Sequence, residues 1–172
     1  GTNKLFRNLG NMAFEEVGSA AGVADPGNTM SAIWVDVDND GDPDLATGNS
    51  NSANRMYLNN GNGTFTDVTD DWGMGVLSTT RSLNAADVNG DGWVDLYCSN
   101  LTAQNVLWLN QQGTGFANAT FASGALDTGV AMGSIFLDVD NDGDQDLYLT
   151  HDANQTNLLY LNNGSGQFTS GG

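Results

Sequence analysis

A chain that repeats itself every 51 residues can fold only as a series of like units, since each copy must meet the same local geometry. The stretch DVDNDGDPDL at 36–45 returns as DVNGDGWVDL at 87–96 and as DVDNDGDQDL at 138–147. A second motif keeps the step: NKLFRNLGNMAF at 3–14, NRMYLNNGNGTF at 54–65, NVLWLNQQGTGF at 105–116 and NLLYLNNGSGQF at 157–168. The last copy is displaced by one residue, which falls in the loop 151–156.

Each unit reads as four short apolar segments separated by Gly, Asn, Asp and Ser, the pattern of strands and turns. The first segment spans 31–37, 82–88 or 133–139, and the second 44–48, 95–99 or 146–150. The third spans 55–59, 106–110 or 158–162, and an Asn/Gly turn closes a hairpin onto 64–69 or 115–120. One helical turn is expected near 18–22, and Gly22, Gly73 and Gly124 mark turns between units. The expected fold is all-β, a repeat of four-stranded antiparallel propeller-type blades. Three full blades (30–80, 81–131 and 132–172) follow a partial blade (1–29) that holds an N-terminal hairpin, giving an incomplete ring read as one repeat domain, 1–172.

Charge narrows the function. The formal net charge is -17, and the only basic side chains are Lys4, Arg7, Arg55 and Arg81. Such a chain cannot neutralise a nucleic acid backbone, and an anionic membrane surface would repel it. No apolar run is long enough for membrane insertion by a helix. Cys98 is the single cysteine and lies in an apolar run, so a buried, inert thiol is expected.

Thirteen of the 21 acidic residues fall in the three loops, where like charges repel unless a cation sits among them. Written as D-x-D-x-D-G-x-x-D, the loops supply Asp36, Asp38, Asp40 and Asp44; Asp87, Asn89, Asp91 and Asp95; and Asp138, Asp140, Asp142 and Asp146. Position 7 (Asp42, Trp93, Asp144) would add a backbone carbonyl, since a Trp side chain there cannot ligate. Alternating oxygens on a loop turned by Gly at position 6 suit Ca²⁺, which takes six to eight oxygen ligands. Three structural Ca²⁺ sites are expected, each tying one strand end to the next strand start. An EF-hand would need Glu at position 12, where Thr47, Cys98 and Leu149 stand. An acidic turn without metal is the plainer alternative, and three copies at a fixed step weigh against it.

DVDNDGDPDL followed by NRMYLNNGNGTFTDVT resembles the FG-GAP/VCBS repeat, the calcium-binding blade of integrin-α-type propellers. The order of loop, YLNNGxGTF and DVT is most similar to bacterial repeat proteins and the cartilage acidic protein group. The resemblance covers nearly the whole chain and implies that the fifteen loop positions above are the metal ligands. It also implies an extracellular or cell-surface setting, with adhesion or recognition of a protein or glycan rather than catalysis. Asn89 departs from the pattern by one charge, so a weaker second site is expected. Family rings close with about seven blades, more than this chain holds. That count implies either a piece of a longer protein or assembly of identical chains by edge-strand pairing. A self-assembling structural subunit of an extracellular filament or surface layer is therefore the alternative function.

No enzyme is expected: His151 is the sole histidine and has no serine or cysteine constellation beside it in the pattern. Trp34 and Trp108 lie in strand patterns and are expected in the core, whereas Trp72 and Trp93 lie in turns and are expected on a contact surface. Five N-x-S/T sequons start at Asn62, Asn100, Asn118, Asn154 and Asn163, and matter only where secreted proteins are glycosylated.

Overall fold

The computed structural model describes residues 1–75 and 77–171. A hairpin comes first, β1 (Phe6–Gly10) and β2 (Ala13–Glu16), then the one-turn helix α1 (Gly18–Ala21). Gly22 ends that turn in the left-handed region (φ 86°), where a side chain would be strained. Next come β3 (Asn28–Val35), β4 (Asp44–Ala53), β5 (Arg55–Asn59) and β6 (Phe65–Asp67). The second set is β7 (Leu77–Ala86), β8 (Asp95–Asn100), β9 (Val106–Asn110) and β10 (Phe116–Asn118). The third is β11 (Ala131–Leu137), β12 (Asp146–His151), β13 (Leu158–Asn162) and β14 (Phe168–Ser170).

The fold is all-β and antiparallel, in blades, as the repeat requires. Register repeats with the sequence: Val35 faces Asp44, Ala86 faces Asp95 and Leu137 faces Asp146 across the mouth of each acidic loop. Each first strand also carries an irregularity at the same repeat position, between Thr29 and Ser31, Thr80 and Ser82, and Ala131 and Gly133. A bulge there increases local twist, which lets successive blades fan out. The blades are not all separate sheets. β4 runs on past the expected end at 48 and pairs with β7 (Ser50 with Thr79, Ala53 with Leu77), joining the first two blades into one eight-stranded sheet. The third blade is a sheet of its own, β11-β12-β13-β14.

The core lies in the seams between blades. Between the first and second, Val35, Val37, Met56, Leu83, Leu96 and Trp108 pack together. Between the second and third, Val88, Tyr97, Leu107, Leu147 and Phe168 do the same. Burying each such side chain stabilises the fold by about 1.5–3 kcal/mol, so adjacent blades hold each other. Cys98 is buried as expected.

Two tryptophan expectations are corrected. Trp72 is 8% exposed and meets Phe116 edge-on at 5.6 Å, so it is core rather than contact surface. Trp34 is 54% exposed although it lies in β3. Its repeat counterparts, Ala85 and Phe136, face the preceding blade; Phe136 meets Tyr97 there at 6.3 Å. Trp34 instead lines a groove with Leu5 and Val23, and among the described residues the aromatic ring beside it is Phe65, at 5.9 Å. Trp108 is buried and Trp93 half-buried.

Candidate metal loops and the seams between blades

Positions 1, 3 and 5 of the first and third loops converge. Carboxylate oxygens of Asp36, Asp38 and Asp40 lie within 4.8 Å of one another, as do those of Asp138, Asp140 and Asp142. The backbone holds them there. The position-6 amide donates to the position-1 carboxylate in every loop: Gly41 to Asp36 (3.0 Å), Gly92 to Asp87 (2.8 Å) and Gly143 to Asp138 (3.1 Å). That curl puts position 6 at φ 91°, 86° and 97°, so the glycine is a geometric requirement. Position 7 uses its amide on position 5, from Asp42 to Asp40, Trp93 to Asp91 and Asp144 to Asp142.

The donor set fits a hard cation. Oδ1 of Asp36 is buried without a hydrogen-bond partner, an arrangement that costs free energy unless a positive centre satisfies it. Burial, and then the charges of Asp40 and Asp36, push the Asp38 carboxyl up. Asp140 and Asp144 are raised in the same way, by desolvation and the neighbouring Asp142. The second loop is already partly satisfied, because the Asn89 amide donates to Asp91 at 3.0 Å.

The position-9 carboxylates stand apart from these clusters and bind backbone. All three are fully buried. Asp44 accepts from Val37 N (2.9 Å) and Asn59 N (2.8 Å). Asp95 accepts from Val88 N (3.0 Å) and Asn110 N (2.8 Å), and Asp146 from Val139 N (2.9 Å) and Asn162 N (2.8 Å). Each therefore ties the acidic loop to the third strand of its blade. Burial raises the Asp44 carboxyl, and it pushes Asp95 up to about 6 against those two donated hydrogen bonds.

The third-strand asparagines have a role that the sequence alone did not reveal. The Asn110 side-chain amide donates within its blade to Val94 O (3.1 Å) and across the seam to Val37 O (2.8 Å). Asn162 repeats this with Gln145 O (3.1 Å) and Val88 O (2.7 Å). Both acceptors across the seam are position 2 of the preceding acidic loop. The hairpin turns lean on that loop too: a Cβ on Gly113 would come within 3.0 Å of Asp38 Cα, and one on Gly166 within 3.4 Å of Asn89 Cβ. The first and second loops are thus each built by one blade and braced by the next. The available signal was an Asn recurring at the loop's own spacing.

His151 is buried against Asp127, with Nε2 2.9 Å from Oδ2. That oxygen also accepts from Asn105 at 2.8 Å, so the pair closes a loop rather than facing a cleft. A groove of about 470 Å³ lies on the open side of the first blade, lined by Lys4, Leu5, Val23, Met30, Trp34 and Leu45 among others. No helix among the described residues is long and apolar enough to cross a membrane.

Comparison with known proteins agrees with the blade geometry. Across 99% of its length the chain is 28% identical to mouse cartilage acidic protein 1, over 182 aligned residues that make up 28% of that protein. It is 27% identical to the human form over the same share of this chain and 27% of the relative. The chain thus spans under a third of the length of these relatives. The FG-GAP-like repeat model matches three overlapping stretches, residues 1–47, 36–98 and 87–149, the first containing one acidic loop and the other two containing two each. The chain belongs to the FG-GAP-like repeat family.

Proposed function

We propose that this chain is a calcium-stabilised recognition or adhesion module of an extracellular or cell-surface protein. Residues 1–172 act as one repeat domain, with the partial blade at 1–29 and full blades at 30–80, 81–131 and 132–172. Each acidic loop holds one structural Ca²⁺, with Asp or Asn at positions 1, 3, 5 and 9 and the position-7 carbonyl as its ligands. The observation that carries this reading is the convergence of Asp36, Asp38 and Asp40, together with the orphaned, buried Oδ1 of Asp36. A bound cation would satisfy that oxygen and relieve the repulsion among carboxylates. The module binds a protein or glycan partner and does no chemistry of its own.

Isothermal titration with Ca²⁺, paired with thermal melting in Ca²⁺ and in excess chelator, tests this. The expected result is uptake at each acidic loop and a melting temperature that falls on chelation. A chain that takes up no Ca²⁺ and melts identically in chelator would overturn the reading. The edge of β1, which among the described residues pairs with β2 alone, favours assembly with further strands as the second reading.

A further inference from the structure

The three acidic loops are unequal. The first and third each carry five aspartates over their nine positions, and the second carries three. It has Asn89 at position 3 and Trp93 at position 7, where the first has Asp38 and Asp42 and the third has Asp140 and Asp144. The second loop therefore has less charge to offer a cation. What surrounds it differs as well.

Three contacts run between the first loop and the second. The Asn39 side-chain amide, at position 4 of the first loop, donates to Gly92 O, at position 6 of the second, at 3.1 Å. Asn110, which is 3% exposed, touches both loops at once. Its side-chain amide donates to Val37 O, between Asp36 and Asp38, and its backbone N–H donates to Asp95 at position 9 of the second loop, at 2.8 Å each. Gly113 is wedged beside them. Its N–H donates to Asn110 Oδ1 at 2.9 Å, and a Cβ on it would come within 3.0 Å of Asp38 Cα and 2.7 Å of the Trp93 ring. Between the second loop and the third, the asparagine bridge recurs through Asn162, from Val88 O to Asp146. There, however, position 4 is Gly90, which has no side chain to donate. A cleft of about 450 Å³ opens at that place, lined by Asp87, Gly90, Gly143 and Asp144 among others.

We infer that Asn110 is a positioning residue shared by two cation loops, and that with Asn39 and Gly113 it couples them, so that filling the first loop raises the affinity of the second. The inference rests on the Ca²⁺ reading above. Filling the first loop fixes Asp36 and Asp38 on either side of Val37 O, and so fixes Asn110 and the turn at Gly113. The same asparagine holds Asp95, and the turn holds Trp93, whose carbonyl is a ligand position. The second loop is then already in shape, and less ordering remains to oppose its own uptake. By linkage, the first loop gains as much from the second. Such coupling offsets the smaller charge of the second loop. Repulsion between two divalent ions opposes it, and salt screens that repulsion.

The test follows Ca²⁺ uptake loop by loop in the isotope-labelled full chain, by NMR in raised salt. The amides of Gly41, Gly92 and Gly143, each bonded to position 1 of its own loop, report the three loops separately. Asp36→Asn, which disables the first loop, should weaken uptake read at Gly92 at least about fivefold. Asp138→Asn makes the same charge change in the third loop and should have the smaller effect. Asp87→Asn should weaken uptake at Gly41 by a factor comparable to the first. Asn110→Ala should bring the coupling factor close to unity, whereas a merely structural role would lower the melting temperature and leave the two affinities linked. Asn39→Gly serves where that buried substitution unfolds the chain. Asn39 is exposed at φ 57°, which Gly adopts freely, and its loss should cut the coupling at least about twofold. A Gly92 midpoint unmoved by Asp36→Asn, equal effects of Asp36→Asn and Asp138→Asn, or a coupling factor left whole by Asn39→Gly would each overturn the inference. Independent uptake at all three amides overturns the coupling and leaves the cation reading standing. No response at any of them overturns both.

Discussion

The side-chain amide of Asn162 donates to the backbone carbonyl of Val88 at 2.7 Å, across 74 residues of chain. Asn110 does the same to Val37 at 2.8 Å. These bonds fasten the second and third blades to the acidic loop before them, at the residue between positions 1 and 3. Whatever fixes the loop therefore also fixes the seam.

Asn162→Ala removes two donated bonds and leaves the carbonyls of Val88 and Gln145 without that partner in a buried seam. A loss of about 1–3 kcal/mol is expected. Asn59→Ala removes one donated bond, to Pro43 O, and one accepted from Gly61 N, both exposed, and should change stability by no more than about 0.5 kcal/mol. Urea unfolding of the two variants checks this, and equal losses would mean that the seam bond carries no weight.

Asp95→Asn should destabilise the chain. The carboxylate accepts from Val88 N and Asn110 N at once, whereas an amide offers one oxygen and turns an NH₂ against the other donor. The site is fully buried, so water cannot repair the mismatch. A cost of about 1–3 kcal/mol is expected, read by chemical denaturation with chelator present so that no cation contributes.

Asn89→Asp gives the second loop the carboxylate that the other two hold at position 3. Its effect should change sign with calcium. Without the cation, a charge beside Asp91 replaces the present 3.0 Å donation, and stability falls. With Ca²⁺, the extra charge should strengthen that site by about 1 kcal/mol. Calorimetric titration and melting on the same variant check both halves, and a loss under both conditions would mean that this loop takes no cation.

Cys98 lies between β7 and β9 in the first seam, and burial pushes its thiol up to about 12. It should resist alkylation at pH 8 in the folded chain and react at once in denaturant. Its folded value exceeds the unfolded one, near 8.5, so its share of stability is whole below that pH. It is lost as pH rises from about 8.5 toward 12. Rapid labelling under native conditions would show that the seam opens easily.

Much of this could be read from the spacing. Motifs that keep a step of 51 residues placed the strands, and β5, β9 and β13 occupy the residues expected of them. Local chemistry placed the convergent carboxylates, because Gly at position 6 and Asp at positions 1, 3 and 5 fix a curl within a few residues. What escaped was set by partners far along the chain. The asparagine at 110 was visible as a repeated letter, but its acceptor is Val37, which no local pattern names. The position-9 aspartates carried a second duty that no local pattern names: one oxygen of Asp44 and of Asp95 also accepts from the backbone of a strand about fifteen residues later. Trp34 looked like core because it lies in a strand. Its burial depends on what stands before the first blade, not on β3 itself.

The pairing of β4 with β7 makes the molecule mechanically uneven. The first two blades cannot part without breaking backbone hydrogen bonds, such as those joining Ser50 with Thr79 and Ala53 with Leu77. The third shares no strand pairing with the second among the described residues. Asn84 donates to Ser134 O at 2.6 Å, Asn162 spans the seam, and the apolar cluster around Tyr97 and Leu147 does the rest. Contacts of that kind yield together. The chain thus divides into two cooperative units of unequal size, with a fracture plane between Tyr97 and Phe136, and partial opening releases the third blade as one piece.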